Sequence, residues 1–259
     1  MKVIILAGGM GTRLGQQVEA IPKPMVLIGN KPILWHIMKI YSHQGFNEFV
    51  ICLGVKASVI KNYFYQYDII NNDFTIDIST GDIKYHSSHN EDDWKVTLVD
   101  TGLDTLKGGR IKRVEKYLDS EINMLTYGDG LADIDLHKLL EFHKSRGKVV
   151  TVTGVYGTSR FGELVVEEGG QVRSFAEKPR VASSLINGGF MVFNRKMLNY
   201  LTEDRDCDFE IGPLEQLSES GQVMAYKHEG NWECMDHERD ITYLNQLWKD
   251  NKAFWKIWE

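Results

Sequence analysis

With 259 residues, 42% of them hydrophobic, the chain can build a substantial α/β core and is too apolar for disorder to dominate. Its 30 basic and 36 acidic residues leave a formal net charge of −6, so there is no global positive field for a nucleic acid or an anionic membrane, and an anionic ligand must be held by local design. Cys52, Cys207 and Cys234 are odd in number and widely spaced, which suits a reducing, cytoplasmic setting and matches neither a disulfide framework nor a zinc pattern.

Val3 to Ala7 reads as a buried strand, being too short for a signal peptide, and no later stretch approaches the ~20 apolar residues of a membrane span. Pro32 to Ser42 is a helix, with Asn30 near its start, Pro32 in its first turn and Gly45 beyond its end. Glu48 to Leu53 is the second strand, and a helix follows from Ser58 to Gln66. Shorter β pieces are expected at Phe74 to Ile78, Ile83 to His86 and Lys95 to Val99. A helix over Gly109 to Leu118 leads into the apolar strand Ile122 to Tyr127, which ends at Gly128-Asp129-Gly130. The helix Asp135 to Arg146 and the strand Val149 to Val155 complete an alternation that builds a mostly parallel sheet.

Beyond residue 155 the pattern changes. Glu163 to Val166 and Gln171 to Phe175 flank Glu168-Gly169-Gly170 and predict a hairpin. The second half therefore reads as α+β, packed beside the first within one domain spanning 1–259. Ile241 to Lys249 is helical, and Phe254, Trp255 and Trp258 form a tail expected to dock on the body or on a neighbouring subunit.

The most informative stretch is Leu6-Ala7-Gly8-Gly9-Met10-Gly11-Thr12-Arg13, directly after the first strand. Its glycines let backbone N–H groups approach oxyanions, and Arg13 adds a charge-assisted contact. Lys23 is presented from a segment stiffened by Pro22 and Pro24. The dinucleotide fingerprint fails because Leu14 stands where its third glycine belongs, and the Walker loop fails because Gly11 precedes Thr12-Arg13. A bare Gly-x-Gly is equally a turn after a strand. Asp129, at the carboxyl edge of its strand between two small glycines, is a candidate for Mg²⁺, although Gly-Asp-Gly alone reads as readily as a turn. Asp100, Asp133 and Asp135 are explained as a strand end, a turn and a helix start, and no histidine has the spacing of a metal pair or a nucleophile and base.

Leu6 to Leu14 followed by Pro22-Lys23-Pro24-Met25 resembles the signature of the sugar-1-phosphate nucleotidylyltransferases. Within them the chain is most similar to the glucose-1-phosphate cytidylyltransferases, through Lys31 to Met38, Thr97 to Gly102, Gly108-Gly109-Arg110 and Thr126 to Gly130. The similarity continues through Arg160-Phe161-Gly162, Glu177-Lys178-Pro179, Ile186 to Phe190 and Met235-Asp236, covering nearly the whole chain. The resemblance implies a Rossmann-like fold with a mixed, mostly parallel sheet and a smaller sugar-binding part. It implies joining of CTP and glucose 1-phosphate with Mg²⁺ held by Asp129 and Asp236, and catalysis by Arg13 and Lys23. It also implies nucleotide contacts from Leu6 to Arg13, Lys23, Thr105, Arg110, Gly128 and Asp129, and sugar-phosphate contacts from Glu177, Lys178, Asn187 and Gly188. Leu103-Asp104-Thr105-Leu106 departs from the pattern. Transfer of dTMP or UMP, another hexose 1-phosphate, and a non-catalytic sugar-nucleotide sensor are the competing readings. Self-association is expected.

Because a phosphate monoester is already largely dianionic near neutral pH, with a second pKa of about 6, such a reaction needs no general base. It needs two mutually repelling anions positioned and their charge offset.

Overall fold

The computed structural model describes residues 1–9, 21–87, 91, 93–118, 121–158, 163–166, 169, 171–176 and 180–259. The apolar run at the start becomes β1 (Val3–Leu6), buried along its whole length. Alternate residues of β1 face opposite sides: Val3 and Ile5 join one core cluster, Ile4 and Leu6 the other. A strand covered on both faces needs a continuous apolar run, and that is what the sequence supplies.

Helix α1 (Ile33–Ser42) starts one residue later than its sequence pattern suggested, with Pro32 in extended conformation as its cap. It buries eight of its ten residues and is followed by β2 (Glu48–Leu53) and α2 (Ala57–Tyr65). After β3 (Lys95–Asp100), helix α3 covers only Lys107–Arg113 and passes into a 3-10 turn at Glu115–Tyr117. Next come β4 (Ile122–Tyr127) and α4 (Leu136–Arg146), the latter capped by Asp135, whose carboxylate accepts from Lys138 N, and ended by Gly147 at φ 60°. Three further strands, β5 (Val150–Thr158), β6 (Arg180–Asn194) and β7 (Val223–Lys227), precede α5 (Glu238–Lys249).

The seven strands form one sheet in the order β7-β5-β6-β4-β1-β2-β3. Every strand except β6 points the same way, since only the β6 pairings with β5 and β4 are antiparallel. This is the mixed, mostly parallel sheet expected. Its composition differs from the expected arrangement in one respect: β6 and β7, from the second half of the chain, are inserted into the same sheet as the first half. The hairpin is present as Glu163–Val166 paired with Val172–Ala176. From β1 the chain steps outward to β2 and β3, then returns to β4 on the other side of β1. That reversal creates a crevice outside the carboxyl ends of β1 and β4, the place where open α/β sheets bind ligands.

The aromatic tail docks on the body. Trp255 is fully buried, and its Nε1 donates to His36 Nδ1 at 3.3 Å, while His36 Nε2 donates to the Ile28 carbonyl at 2.9 Å. Trp248 meets the His36 ring edge-on at 4.8 Å between centroids, which anchors α5 to α1. Burial pulls the His36 pKa from the ordinary 6.5 down to about 4. The folded state therefore holds His36 neutral while the unfolded chain takes up a proton, so stability falls as pH drops from 6.5 towards 4. One group with this shift accounts for about 1.5 kcal/mol between pH 6.5 and 5. Urea unfolding at those two values should show the loss, and His36→Gln should remove most of it; an equal loss in the variant would clear His36 of the effect. His143, also lowered by burial, contributes in the same direction.

Candidate active site

The crevice at the carboxyl edge is built from four chain turns. β1 ends in Ala7-Gly8-Gly9, β2 in Gly54, β3 in Thr101-Gly102 and β4 in Gly128-Asp129. A cavity of about 290 Å³ opens there. Leu6, Ala7, Gly8, Gly9, Lys23, Thr105, Arg110, Gly128 and Asp129 all line it, as do Lys107 and Tyr127, which the sequence reading did not single out. Met10, Gly11, Thr12, Arg13, Glu177 and Lys178 lie outside the described residues.

Close approach explains two of the glycines. A Cβ on Gly8 would stand 2.3 Å from Arg110 Nη1, and one on Gly128 would stand 2.9 Å from the Leu6 carbonyl. Both turns are thus packed too tightly for any side chain.

Lys23 leaves a 3-10 turn, Lys23–Met25, that is entered from an extended Pro22. Its Nζ lies 2.7 Å from Asp129 Oδ2 and 2.6 Å from Asp236 Oδ1. The second aspartate reaches this point through strand register. Trp232–Cys234 pairs antiparallel with Gly130–Ala132, with Cys234 opposite Gly130, and Met235 N continues the ladder to the Asp129 carbonyl at 2.9 Å. Asp240 then fixes the next turn by accepting from Asp236 N at 2.9 Å and His237 N at 2.7 Å. Burial alone would depress the Lys23 ammonium, but the two carboxylates, Asp129 foremost, outweigh it and hold its pKa above the ordinary value.

Asp129, Asp236 and Cys234 offer one donor atom each within 4.8 Å of one another. Burial, reinforced by Asp129, pushes the Cys234 thiol up, and its soft sulfur is a poor match for a hard cation. What is left is a pair of hard carboxylate oxygens, a donor set that suits a small oxygen-seeking cation such as Mg²⁺ better than zinc.

Arg110 is buried, and five acceptors surround its Nη atoms at 2.8 to 3.1 Å: the carbonyls of Leu53, Gly102, Gly8 and Leu103, and Thr101 Oγ1. One side chain thus ties the glycine turn to the ends of β2 and β3. Thr105 Oγ1 accepts from Arg113 Nη1 at 2.8 Å. The three aspartates read as structural do structural work: Asp100 accepts from Gly102 N at 3.0 Å, Asp133 from Asn231 N at 2.7 Å, and Asp135 caps α4.

Asn187 and Gly188 sit on β6, behind Tyr127. Asn187 Nδ2 donates to the Tyr127 hydroxyl at 3.1 Å, and the Gly188 carbonyl accepts from Trp232 Nε1 at 2.8 Å. Gly189, at φ 83°, presses against the Tyr127 ring so closely that a Cβ there would lie 2.6 Å from Cδ2. Tyr127 was the missed residue with an available signal, because it immediately precedes Gly128-Asp129. Glu210, which pairs with Tyr127 and Lys107, carried no local signal.

The family model described as nucleotidyl transferase matches residues 2–255. The glucose-1-phosphate cytidylyltransferase of Salmonella typhi is 47% identical to this chain over the full length of both, and the probable glucose-1-phosphate cytidylyltransferase of Bacillus subtilis is 43% identical, again over both full lengths. Among solved structures, HddC from Yersinia pseudotuberculosis matches with a TM-score of 0.69 and 25% sequence identity, covering 95% of this chain and 99% of that one.

Proposed function

Because this chain belongs to the nucleotidyl transferase family, we propose that it makes CDP-glucose and pyrophosphate from CTP and glucose 1-phosphate. The observation that carries the reading is the meeting of Lys23, Asp129 and Asp236, from three distant parts of the chain, beside the cavity at the switch point of the sheet. A non-catalytic sensor has no use for two converging carboxylates with a lysine between them. The full-length identity to cytidylyltransferases selects the base and the sugar.

In this reading a phosphate oxygen of glucose 1-phosphate attacks the α-phosphorus of CTP, and the bond to pyrophosphate breaks opposite it. The nucleophile is already anionic, so no residue has to remove a proton. The work of the protein is to bring the two anions together. The N–H groups of the glycine turn face the triphosphate, and Arg110 holds that turn through the Gly8 carbonyl. Lys23 supplies a permanent positive charge at the reacting phosphates. Asp129 and Asp236 would hold Mg²⁺, whose charge would offset that of the triphosphate and of the departing pyrophosphate. Thr105 and Gly128 shape the nucleotide cavity, and Asn187 and Gly188 the sugar side. Arg13, Glu177 and Lys178 keep the roles that the resemblance gives them. Incubating the protein with each nucleoside triphosphate, Mg²⁺ and a panel of sugar 1-phosphates tests the proposal: pyrophosphate release should be fastest with CTP and glucose 1-phosphate. Preference for UTP or dTTP would move the base assignment, and no release with any pair would favour a sensor.

Homo-oligomerisation belongs to the same proposal, but on a different surface from the tail. Tyr65 and Ile78 are 89% and 85% exposed, and the ribbon that pairs Phe74–Ile76 with Ile83–Tyr85 adds further exposed apolar side chains. Large apolar side chains left this exposed are candidates for protein contact. Light scattering should give a mass above that of one chain, and a monomer at micromolar concentration would refute it. Among the described residues no helix is long and apolar enough to cross a membrane.

A further inference from the structure

Three side chains beside the cavity, Glu210, Tyr127 and Asn187, form a hydrogen-bonded chain whose direction is set at both ends, with an ion pair to Lys107 at the glutamate end. Lys107 Nζ pairs with Glu210 Oε2 at 2.6 Å, and the Tyr127 hydroxyl donates to Glu210 Oε1. The same hydroxyl accepts from Asn187 Nδ2 at 3.1 Å, and Asn187 Oδ1 accepts from Gly189 N at 2.9 Å. A carboxylate can only accept, and a peptide N–H can only donate. Each intermediate group therefore has a single orientation: Tyr127 points its proton at Glu210, and Asn187 turns its amide nitrogen towards Tyr127 and its oxygen towards Gly189.

Glu210 is held in place for this task. It lies in an irregular turn, Glu210–Leu214, with Gly212 at φ 96°, and Asp208 Oδ1 accepts from Glu210 N at 2.8 Å and Ile211 N at 3.2 Å. Its Lys107 partner and Tyr127 both line the nucleotide cavity, whereas Asn187 lies on the sugar side.

We propose that Glu210 is a positioning residue that holds the Asn187 amide in place through Tyr127, and thereby governs recognition of the sugar 1-phosphate. The inference rests on the sugar-side role proposed above for Asn187. Glutamine at position 210 keeps the shape but can donate as well as accept, so the Tyr127 proton is free to turn towards Asn187 Nδ2; Gly189 N still keeps the amide the same way round, and the two facing donors push its nitrogen out of place.

Three variants test it: Glu210→Gln, Tyr127→Phe and the double variant, each first matched to the parent by thermal unfolding and circular dichroism. In Glu210→Gln, KM for glucose 1-phosphate should rise about tenfold, the scale of one lost oriented hydrogen bond, while KM for CTP stays within about twofold and kcat within about threefold. In KM for glucose 1-phosphate the double variant should be no worse than Tyr127→Phe alone, because Glu210 reaches Asn187 only through that hydroxyl. Equal effects on both substrates, no effect on either, or additive losses in the double variant would overturn the proposal. Calorimetric titration of glucose 1-phosphate and of CTP into the same proteins gives the comparison without turnover: a parent that binds both but releases no pyrophosphate would sink the catalytic reading alone. Glu210→Gln binding glucose 1-phosphate as the parent does, or a parent that binds no glucose 1-phosphate, would sink this one.

Discussion

Replacing Asp129 or Asp236 by alanine is expected to lower kcat/KM for CDP-glucose formation by about a thousandfold while leaving the protein folded; Lys23→Ala should do the same. The three side chains form one unit, with Lys23 Nζ within 2.7 Å of both carboxylates. Each aspartate offers a hard oxygen to the cation site, and one or two carboxylates together with the substrate phosphates are the usual way a Mg²⁺ ion is held against a triphosphate. Lys23 contributes charge that neither aspartate can replace, so the losses should not add: a double variant should be scarcely worse than the weaker single one. The fold should survive because the backbone around both aspartates is held independently, by the ladder to Cys234 and by the Asp240 cap. Steady-state pyrophosphate release, read beside circular dichroism, checks this. Near-parental activity in either aspartate variant would remove that residue from the cation site.

Trp255→Ala should cost about 3–5 kcal/mol of unfolding free energy, the range for truncating a fully buried large aromatic side chain. Trp255 has no exposed surface, stacks on Trp248 at 6.5 Å between centroids and meets Phe254 edge-on at 5.0 Å. Its loss also leaves His36 Nδ1 without the indole donor. Trp255→Phe separates the two contributions, since it keeps most of the packing and loses only the hydrogen bond, for which about 1–3 kcal/mol is expected. Urea unfolding measures both, and a loss below about 1 kcal/mol for Trp255→Ala would mean that the tail is not part of the core. The effect should reach the site as well: α5 starts two residues after Asp236, and Trp248 and Trp255 are what fasten α5 to α1.

The two predictions differ in how far they were legible in the residues. The glycine turn after β1, the proline-flanked Lys23 and Asp129 at a strand end are local patterns of a few residues, and the structure puts all three on one crevice. The tail was recognisable as apolar, but its periodicity did not say what it covers. Burial against His36 answered that, and it shifts the surface available for self-association to Tyr65, Ile78 and the ribbon around them. Arg110, expected among the nucleotide contacts, lines the cavity, and what no local pattern announced is that five protein acceptors engage its guanidinium.

The alternation of strands and helices, the buried first strand and the identity of the groups able to meet phosphate are legible in the amino-acid order. These follow from side-chain period and backbone freedom within a few residues. That Asp236 stands beside Asp129, that β6 enters the sheet between β4 and β5, and that Glu210 reaches Tyr127 emerges from folding alone. Each of these depends on strand register or on a contact across more than eighty positions, and such pairings are selected by burial and hydrogen-bond satisfaction of the whole chain, which no local window contains.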